Sequence, residues 1–313
     1  MGIRDLNSYL KKKCTSESIT QQHLSKYENK KIVVDIFIYL YKFLGEGTLM
    51  EHTYLLITIF KKYNIIPLFV FDGKSPPEKA ETITKRKNER NIAKDRYNEV
   101  MLLLKNDINN KKYENDLKLL KKQMVSVNNY HIKLVKQLMD NYGVSYIVSE
   151  GESDALCAEL VRSGKMDYCL SDDTDMLLYN CPLVLRNINL IEHTVYEYNT
   201  NNILKEINMS FIEFSEVVVL SGTDYNKGEY IELKLLIKEY NDYKNNICNE
   251  TFYEWLVNKN YNIDIAKVQQ IKQIYMDNIN KININILLIE NKTPNYEQLY
   301  KDLEKNGFMI YSQ

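Results

Sequence analysis

Short runs of consecutive apolar residues, most of them closing on an acid, recur along the first two thirds of the chain. Lys31-Ile32-Val33-Val34-Asp35, Pro67-Leu68-Phe69-Val70-Phe71-Asp72, Val144-Ser145-Tyr146-Ile147-Val148-Ser149-Glu150 and the stretch 167–170 before Ser171-Asp172-Asp173 have the length and apolar continuity of buried strands. The segments between them, roughly 37–44, 51–63, 130–142 and 153–163, carry apolar positions at helical spacing. Strand and helix in alternation predict an α/β fold, a mostly parallel central sheet with helices on both faces. In such sheets the ligand lies beyond the carboxyl ends of the strands, and that is where these acids fall.

Asp72-Gly73-Lys74-Ser75-Pro76-Pro77 interrupts the alternation with a turn, and two long polar helices are predicted after it, over 78–106 and 111–127. Their thin apolar content suits an arm projecting from the core. Ser210-Phe211-Ile212-Glu213 is a capping box opening an apolar helix that ends near Gly222-Thr223-Asp224. Beyond it a helix is predicted over 229–240, and the Asn-rich remainder to Gln313 reads as helical. The chain thus divides into a core, 1–225, with an arm at 74–127, and a helical C-terminal region, 226–313.

Composition changes this picture in three ways. At 44% hydrophobic and 27% charged residues the chain is a folding sequence, and its longest apolar runs fall far short of the ~20 residues of a membrane span. No apolar signal segment of ~7–15 residues follows Met1, so an intracellular protein is expected, and Lys85-Arg86-Lys87 adds a possible nuclear import patch. Five cysteines without a C-x-x-C pair read as reduced thiols. The third change is charge: between Lys74 and Lys136 stand 16 Lys and Arg against 8 Asp and Glu, a net of +8 in a chain whose total is −1. Arg86, Arg90 and Arg96, with Lys94, line one broad helical face. Alone, such a face is either solvated or a phosphate-binding surface that gains affinity by releasing counterions from a nucleic acid.

Seven carboxylates stand out by position: Asp35, Asp72, Glu150, Glu152, Asp173, Asp175 and Asp224. Any one of them after a strand is an ordinary cap or turn residue. Gathered at one sheet edge, they would repel one another and raise each other's pKa values unless divalent cations sat among them. An oxygen-only set favours Mg²⁺ or Mn²⁺ over Zn²⁺, since His23, His52, His131 and His193 are scattered. Two such ions ~4 Å apart stabilise the attacking and leaving oxygens of a phosphodiester, and the basic arm would hold its backbone.

These residues resemble the flap endonuclease/XPG family of structure-specific nucleases, from Met1 to about Tyr225. Met1-Gly2-Ile3-x-x-Leu6 is similar to the family's opening, Val34-Asp35 with Tyr39-Leu40-Tyr41 to its first metal-ligand strand and helix, and Phe69 to Pro77 to its second. Ser149-Glu150-Gly151-Glu152-Ser153-Asp154-Ala155, Ser171-Asp172-Asp173-Thr174-Asp175 and Leu220-Ser221-Gly222-Thr223-Asp224-Tyr225 match its paired-glutamate, paired-aspartate and last acidic motifs, all six in order. The resemblance implies a nuclease core with a helical arch, a PIN/FEN-like fold, acting on branched or nicked DNA with a single-stranded 5′ end. It implies two Mg²⁺ ions, replaceable by Mn²⁺: Asp35, Asp72, Glu150 and Glu152 for one, Glu152, Asp173, Asp175 and Asp224 for the other. Lys79 and Arg86 would contact the scissile phosphate, Tyr41 would stack on a base near the cut, and Lys85, Arg90, Lys94 and Arg96 would line the arch against nucleic acid.

The chain also departs from the family. Asn226-Lys227-Gly228-Glu229-Tyr230-Ile231 lacks the Gly-x-Gly pattern of a duplex-binding, K⁺-dependent helical motif, so Lys227, Lys234, Lys238 and Lys244 either substitute electrostatically or face solvent. Gly307 to Gln313 does not resemble a sliding-clamp peptide, and a compact chain without one resembles the flap-endonuclease-like proteins of large DNA viruses. The expected compartment is therefore the nucleus or a cytoplasmic replication site. A Holliday-junction-type resolvase, an RNA-directed nuclease and a non-catalytic DNA-binding scaffold share these features, but a scaffold need not keep all seven acids.

Overall fold

The computed structural model describes residues 2–106, 110–226, 230–246, 249–281 and 292–307. Among them lies one seven-stranded sheet: β1 (Ile19–His23), β2 (Lys31–Asp35), β3 (Ile66–Phe71), β4 (Ser145–Val148), β5 (Tyr168–Leu170), β6 (Leu183–Asn189) and β7 (Thr194–Asn199), in the order β1-β7-β6-β5-β2-β3-β4. The five strands from β6 to β4 pair in parallel, and β7 and then β1 add antiparallel at one edge. This is the mostly parallel sheet with helices on both faces that the alternating pattern predicts.

The period of two decides the layering. Val33, Leu68 and Val70 enter one core, while Ile32, Val34, Phe69 and Phe71 enter the other, so these seven side chains of β2 and β3 are buried and each contributes roughly 1.5–3 kcal/mol. Three strands, β1, β6 and β7, lie outside the runs that predict strands. β1 is Thr20-Gln21-Gln22 at its centre, and its full register with β7, Ile19 against Tyr198 to His23 against Thr194, makes it a strand. β6 and β7 form a hairpin with an irregular register between Arg186 and Asn189.

The arm is a hairpin of two helices, Ala80–Asn106 and Lys111–Gln123, closed by a thin seam of Ala93, Val100 and Leu120. The second helix stops at Gln123 rather than continuing to 127, because Asn128 adopts an extended conformation and caps the helix Asn129–Tyr142 through a reciprocal bond pair with His131. The capping box at Ser210 and Glu213 forms as predicted, opening the helix Phe211–Val218.

In the C-terminal region the helix predicted over 229–240 is instead Leu233–Asn245. The Ile231 N–H donates to the Leu220 carbonyl, which ties an extended link back to the core, and residue 229 lies outside the described residues. Helices Phe252–Asn258 and Ile265–Lys281 follow, and Tyr296–Lys305 packs Leu299 and Leu303 into the core on the other face. Among the described residues no helix is long and apolar enough to cross a membrane.

Candidate active site

The acids stand at the carboxyl ends of the parallel strands. Asp35 ends β2, Asp72 follows β3, Glu150 and Glu152 follow β4, and Asp173 and Asp175 follow β5. Asp224 arrives from the turn after Val219–Ser221. The loops after β3 and β4 are locked together: the Gly73 N–H donates to the Gly151 carbonyl at 2.8 Å and the Lys74 N–H to the Glu150 carbonyl at 3.2 Å. A Cβ at Gly73 would overlap the Ser149 carbonyl, so only glycine fits this approach.

Two serines that no sequence argument singled out organise the acids. Ser153 Oγ lies 2.9 Å from Asp35 Oδ1 and 2.7 Å from Asp72 Oδ1, and its backbone N–H donates to the same Asp72 oxygen at 2.8 Å. Ser171 Oγ donates to Asp35 Oδ2 at 3.0 Å and accepts from the Asp173 N–H at 3.2 Å, while Asp173 Oδ1 accepts from the Asp175 N–H at 2.9 Å. Burial, and then the Asp72 carboxylate, push Asp35 up to about 7 despite both hydroxyls. Burial and then Asp173 push Asp175 upward. Asp154, quoted in the paired-glutamate motif but not among the seven, is raised by burial and then by Asp35. The Oδ1 atoms of Asp154 and Asp175 are shielded from solvent and have no hydrogen-bond partner.

Two of the remaining acids, Glu152 and Asp224, are met by cations from the arm. Lys79, at its foot, is 8% exposed; its Nζ lies 2.6 Å from Glu152 Oε1 and 3.7 Å from Asp224 Oδ2. Arg86 Nη2 donates to both Asp224 oxygens, at 2.8 and 3.0 Å. Thr82 Oγ1 donates to the Asp224 carbonyl at 2.6 Å, which pins the first arm helix to the core. Burial opposes the charge of Lys79, but Glu152 and its neighbours hold the ammonium well above its usual range, and burial raises Glu152 against the pull of Lys79.

Two tyrosines complete the site. Tyr225 OH donates to Glu152 Oε2 at 3.2 Å and its ring lies 5.0 Å below Lys79 Nζ. Tyr275, from the C-terminal region, is fully buried and donates to Asp175 Oδ2 at 2.7 Å. Tyr225 adjoins Asp224 in sequence and sat within its motif, whereas Tyr275 lies a hundred residues from its partner, with no local signal.

The structure thus gathers Asp35, Asp72, Glu152, Asp173, Asp175 and Asp224 with Lys79 and Arg86 in one site, the serine-linked acids and the arm-bound Glu152 and Asp224 meeting where the Tyr225 and Tyr275 rings touch edge to face. Glu150 is exposed at the rim, and among the described residues its side chain makes no hydrogen bond or ion pair. Among those residues no three His, Cys, Asp or Glu side chains are arranged to hold a metal ion as they stand. The donor chemistry nevertheless fits a hard cation: oxygen ligands only, with Asp175 Oδ1 buried and without a partner, and a second such oxygen on the neighbouring Asp154. Tyr41 is 37% exposed, outside the core. Lys85, Lys94 and Arg96 are exposed on the arm and Arg90 is half-buried there. Lys234 and Lys238 face solvent, Lys244 pairs with Glu213 at 2.9 Å, and Lys227 lies outside the described residues.

A parallel sheet with carboxylates at its strand ends, roofed by a basic helical hairpin, is the frame of a phosphodiester-cleaving protein, and comparison agrees. The sequence profile of the XPG N-terminal domain matches residues 1–93 and that of the XPG I-region matches 143–224, more than half of the chain together, and the protein belongs to the XPG family of structure-specific nucleases. It is 28% identical to a probable RAD2-like endonuclease of Invertebrate iridescent virus 3, over 78% of this chain and 80% of that one. It is 27% identical to flap endonuclease 1 of Encephalitozoon cuniculi, over 97% and 94% of the two chains. The fold superposes on the catalytic core of Rad2, solved in complex with a DNA substrate, with a TM-score of 0.70 and 20% identity, covering 98% of this chain and 95% of that one.

Proposed function

We propose that the protein is a divalent-metal-dependent endonuclease that hydrolyses phosphodiesters at 5′ flaps and related branched DNA, with 5′-to-3′ exonuclease activity. One observation carries this reading: Lys79 and Arg86, at the foot of the basic arm, are already in contact with Glu152 and Asp224 of the acid cluster, so the surface that would hold a DNA backbone and the residues that would cut it form one site. Asp35, Asp72, Glu150 and Glu152 would hold one Mg²⁺ and Glu152, Asp173, Asp175 and Asp224 a second, with Mn²⁺ as a substitute. Bound there, such ions lower the pKa of water and offset charge on the attacking and leaving oxygens. Lys79 and Arg86 bind the non-bridging oxygens of the scissile phosphate, and Ser153 and Ser171 hold Asp35 and Asp72 in place. Tyr41 offers a face to a base beside the cut, where stacking supplies ~1–3 kcal/mol. Lys85, Arg90, Lys94 and Arg96 line the passage of the 5′ strand. The test is cleavage of a panel of 5′ flap, nick, bubble, four-way junction and RNA/DNA hybrid. Flap and nick are expected to be cut fastest; preferential cutting of the four-way junction would instead identify a resolvase.

Two further outcomes are expected of this site. Tyr275→Phe removes the phenol that fixes one oxygen of Asp175, and loss of such an orienting partner costs about 10–100-fold in metal affinity, measurable as Mn²⁺ binding by electron paramagnetic resonance. Unchanged Mn²⁺ affinity would show that Tyr275 only fills space. The second concerns pH. Asp35 is raised in the folded protein, from 3.8 to about 7, so unfolded chains ionise it first, and metal-free stability falls as pH rises from about 4 through about 7. A divalent cation removes that penalty, so Ca²⁺ is expected to raise the melting temperature more at pH 8 than at pH 5. A gain independent of pH would contradict this.

A further inference from the structure

We propose that a cleft at the foot of the arm binds the 5′-terminal phosphate of a DNA strand, making the protein prefer phosphorylated over hydroxyl ends. The inference rests on the nuclease reading and adds a subsite to it. The cleft, about 290 Å³, is bordered by Arg4, Lys85 and Arg86, with Thr82, Glu89 and Tyr230 among its walls. That is the lower end of small-ligand sites, roughly 300 Å³, room for one terminal nucleotide and too small for a duplex. Its cations come from separate parts of the chain, so the fold and not a local charge run brings them together.

Arg4 is the element built for this. Its backbone N–H donates to the Gly222 carbonyl at 3.1 Å, and its guanidinium lies 4.1 Å over the Tyr230 ring. Gly222 has φ +98°, and a Cβ there would press on Tyr230 at 3.3 Å, so the glycine permits the packing that seats the ring. A guanidinium stacked on an aromatic face keeps its planar edge of N–H donors free and has little rotamer freedom left to lose. Its contact with Asp5, 3.7 Å between exposed side chains, is weak competition. Lys85 is exposed, and among the described residues it has no ion pair. Arg86 borders the cleft while its Nη2 holds Asp224, so the cleft opens directly onto the acid cluster. Among the described residues Glu89 is the one carboxylate on its walls.

Chemistry selects the terminal group over an internal one. An internal phosphodiester carries one charge, whereas a terminal monoester approaches two near pH 7 and presents three free oxygens. A planar Arg fork with a Lys beside it recognises that group bidentately, and a terminal hydroxyl offers these cations nothing.

The experiment uses the full chain and nicked duplexes whose downstream strand ends in a 5′-phosphate or a 5′-hydroxyl. Binding is measured by fluorescence anisotropy in Ca²⁺ and cleavage in Mg²⁺. The wild type is expected to bind the phosphorylated nick about tenfold more tightly, the scale of one charge-assisted bidentate contact. Arg4→Ala is expected to reduce that ratio to about twofold or less, with Arg4→Lys between them because it keeps charge without the fork. Equal binding of both ends by the wild type, or a ratio undiminished in Arg4→Ala, overturns the proposal. If no DNA is cut in Mg²⁺ the nuclease reading fails, while the binding ratio in Ca²⁺ still judges the cleft.

Discussion

Asp175→Asn is expected to lower cleavage of a labelled 5′ flap in Mg²⁺ by about 1000-fold or more while leaving the fold intact. Its carboxylate is held on one side by the Tyr275 hydroxyl and presents a shielded, unpartnered Oδ1 on the other. An amide keeps the tyrosine contact and loses the charge that would bind a cation. The expected loss, about 4 kcal/mol of transition-state stabilisation, lies within what a metal centre supplies. Stability moves the other way. Burial and the nearby Asp173 disfavour a charged Asp175, so the neutral variant is expected to melt no lower than the wild type in the absence of metal. Undiminished cleavage by Asp175→Asn would refute the assignment of Asp175 to the metal site.

Arg86→Ala is expected to slow the single-turnover cut by about 100–1000-fold, as loss of one positioned donor to a developing charge does, with Mn²⁺ binding retained. The Arg86 side chain is 41% exposed, so its removal should not disturb the core. Lys79 is a poorer probe of the same function, because it is itself buried and neutralises the partly buried Glu152. Breaking such a pair by removing one partner costs roughly 3–5 kcal/mol, which would mix folding loss with catalytic loss. If Arg86→Ala weakened flap binding alone and left the single-turnover rate unchanged, Arg86 would be a docking residue and not part of the cutting step.

How far the site could be read beforehand depended on whether each residue's reason was local. The acid after an apolar run is a local signal, because a parallel strand must bury its apolar residues and then emerge, and Asp35, Asp72 and Asp173 all followed from it. The hydroxyls of Ser153 and Ser171 lay inside the same motifs, but their roles become visible only once β2, β3 and β5 are side by side. Tyr275 could not be found at all, since only the packing of a distant helix brings it to Asp175. The same limit governed the fold. Strands buried on both faces carry a continuous apolar signature, whereas β1, at the sheet edge, is defined by its partner β7. The prediction of helix through 127 failed because the Asn128 cap overrode a sequence otherwise willing to continue.

The most direct test is single-turnover cleavage of a 5′-end-labelled flap by the full chain, run in Mg²⁺, in Ca²⁺ and with all divalent ions chelated. An acid cluster that needs hard cations, beneath an arm that grips the strand, predicts incision near the junction in Mg²⁺, binding without incision in Ca²⁺, and no cutting after chelation. Incision that persists without divalent cations, or a flap bound firmly in Mg²⁺ and never cut, would contradict the account.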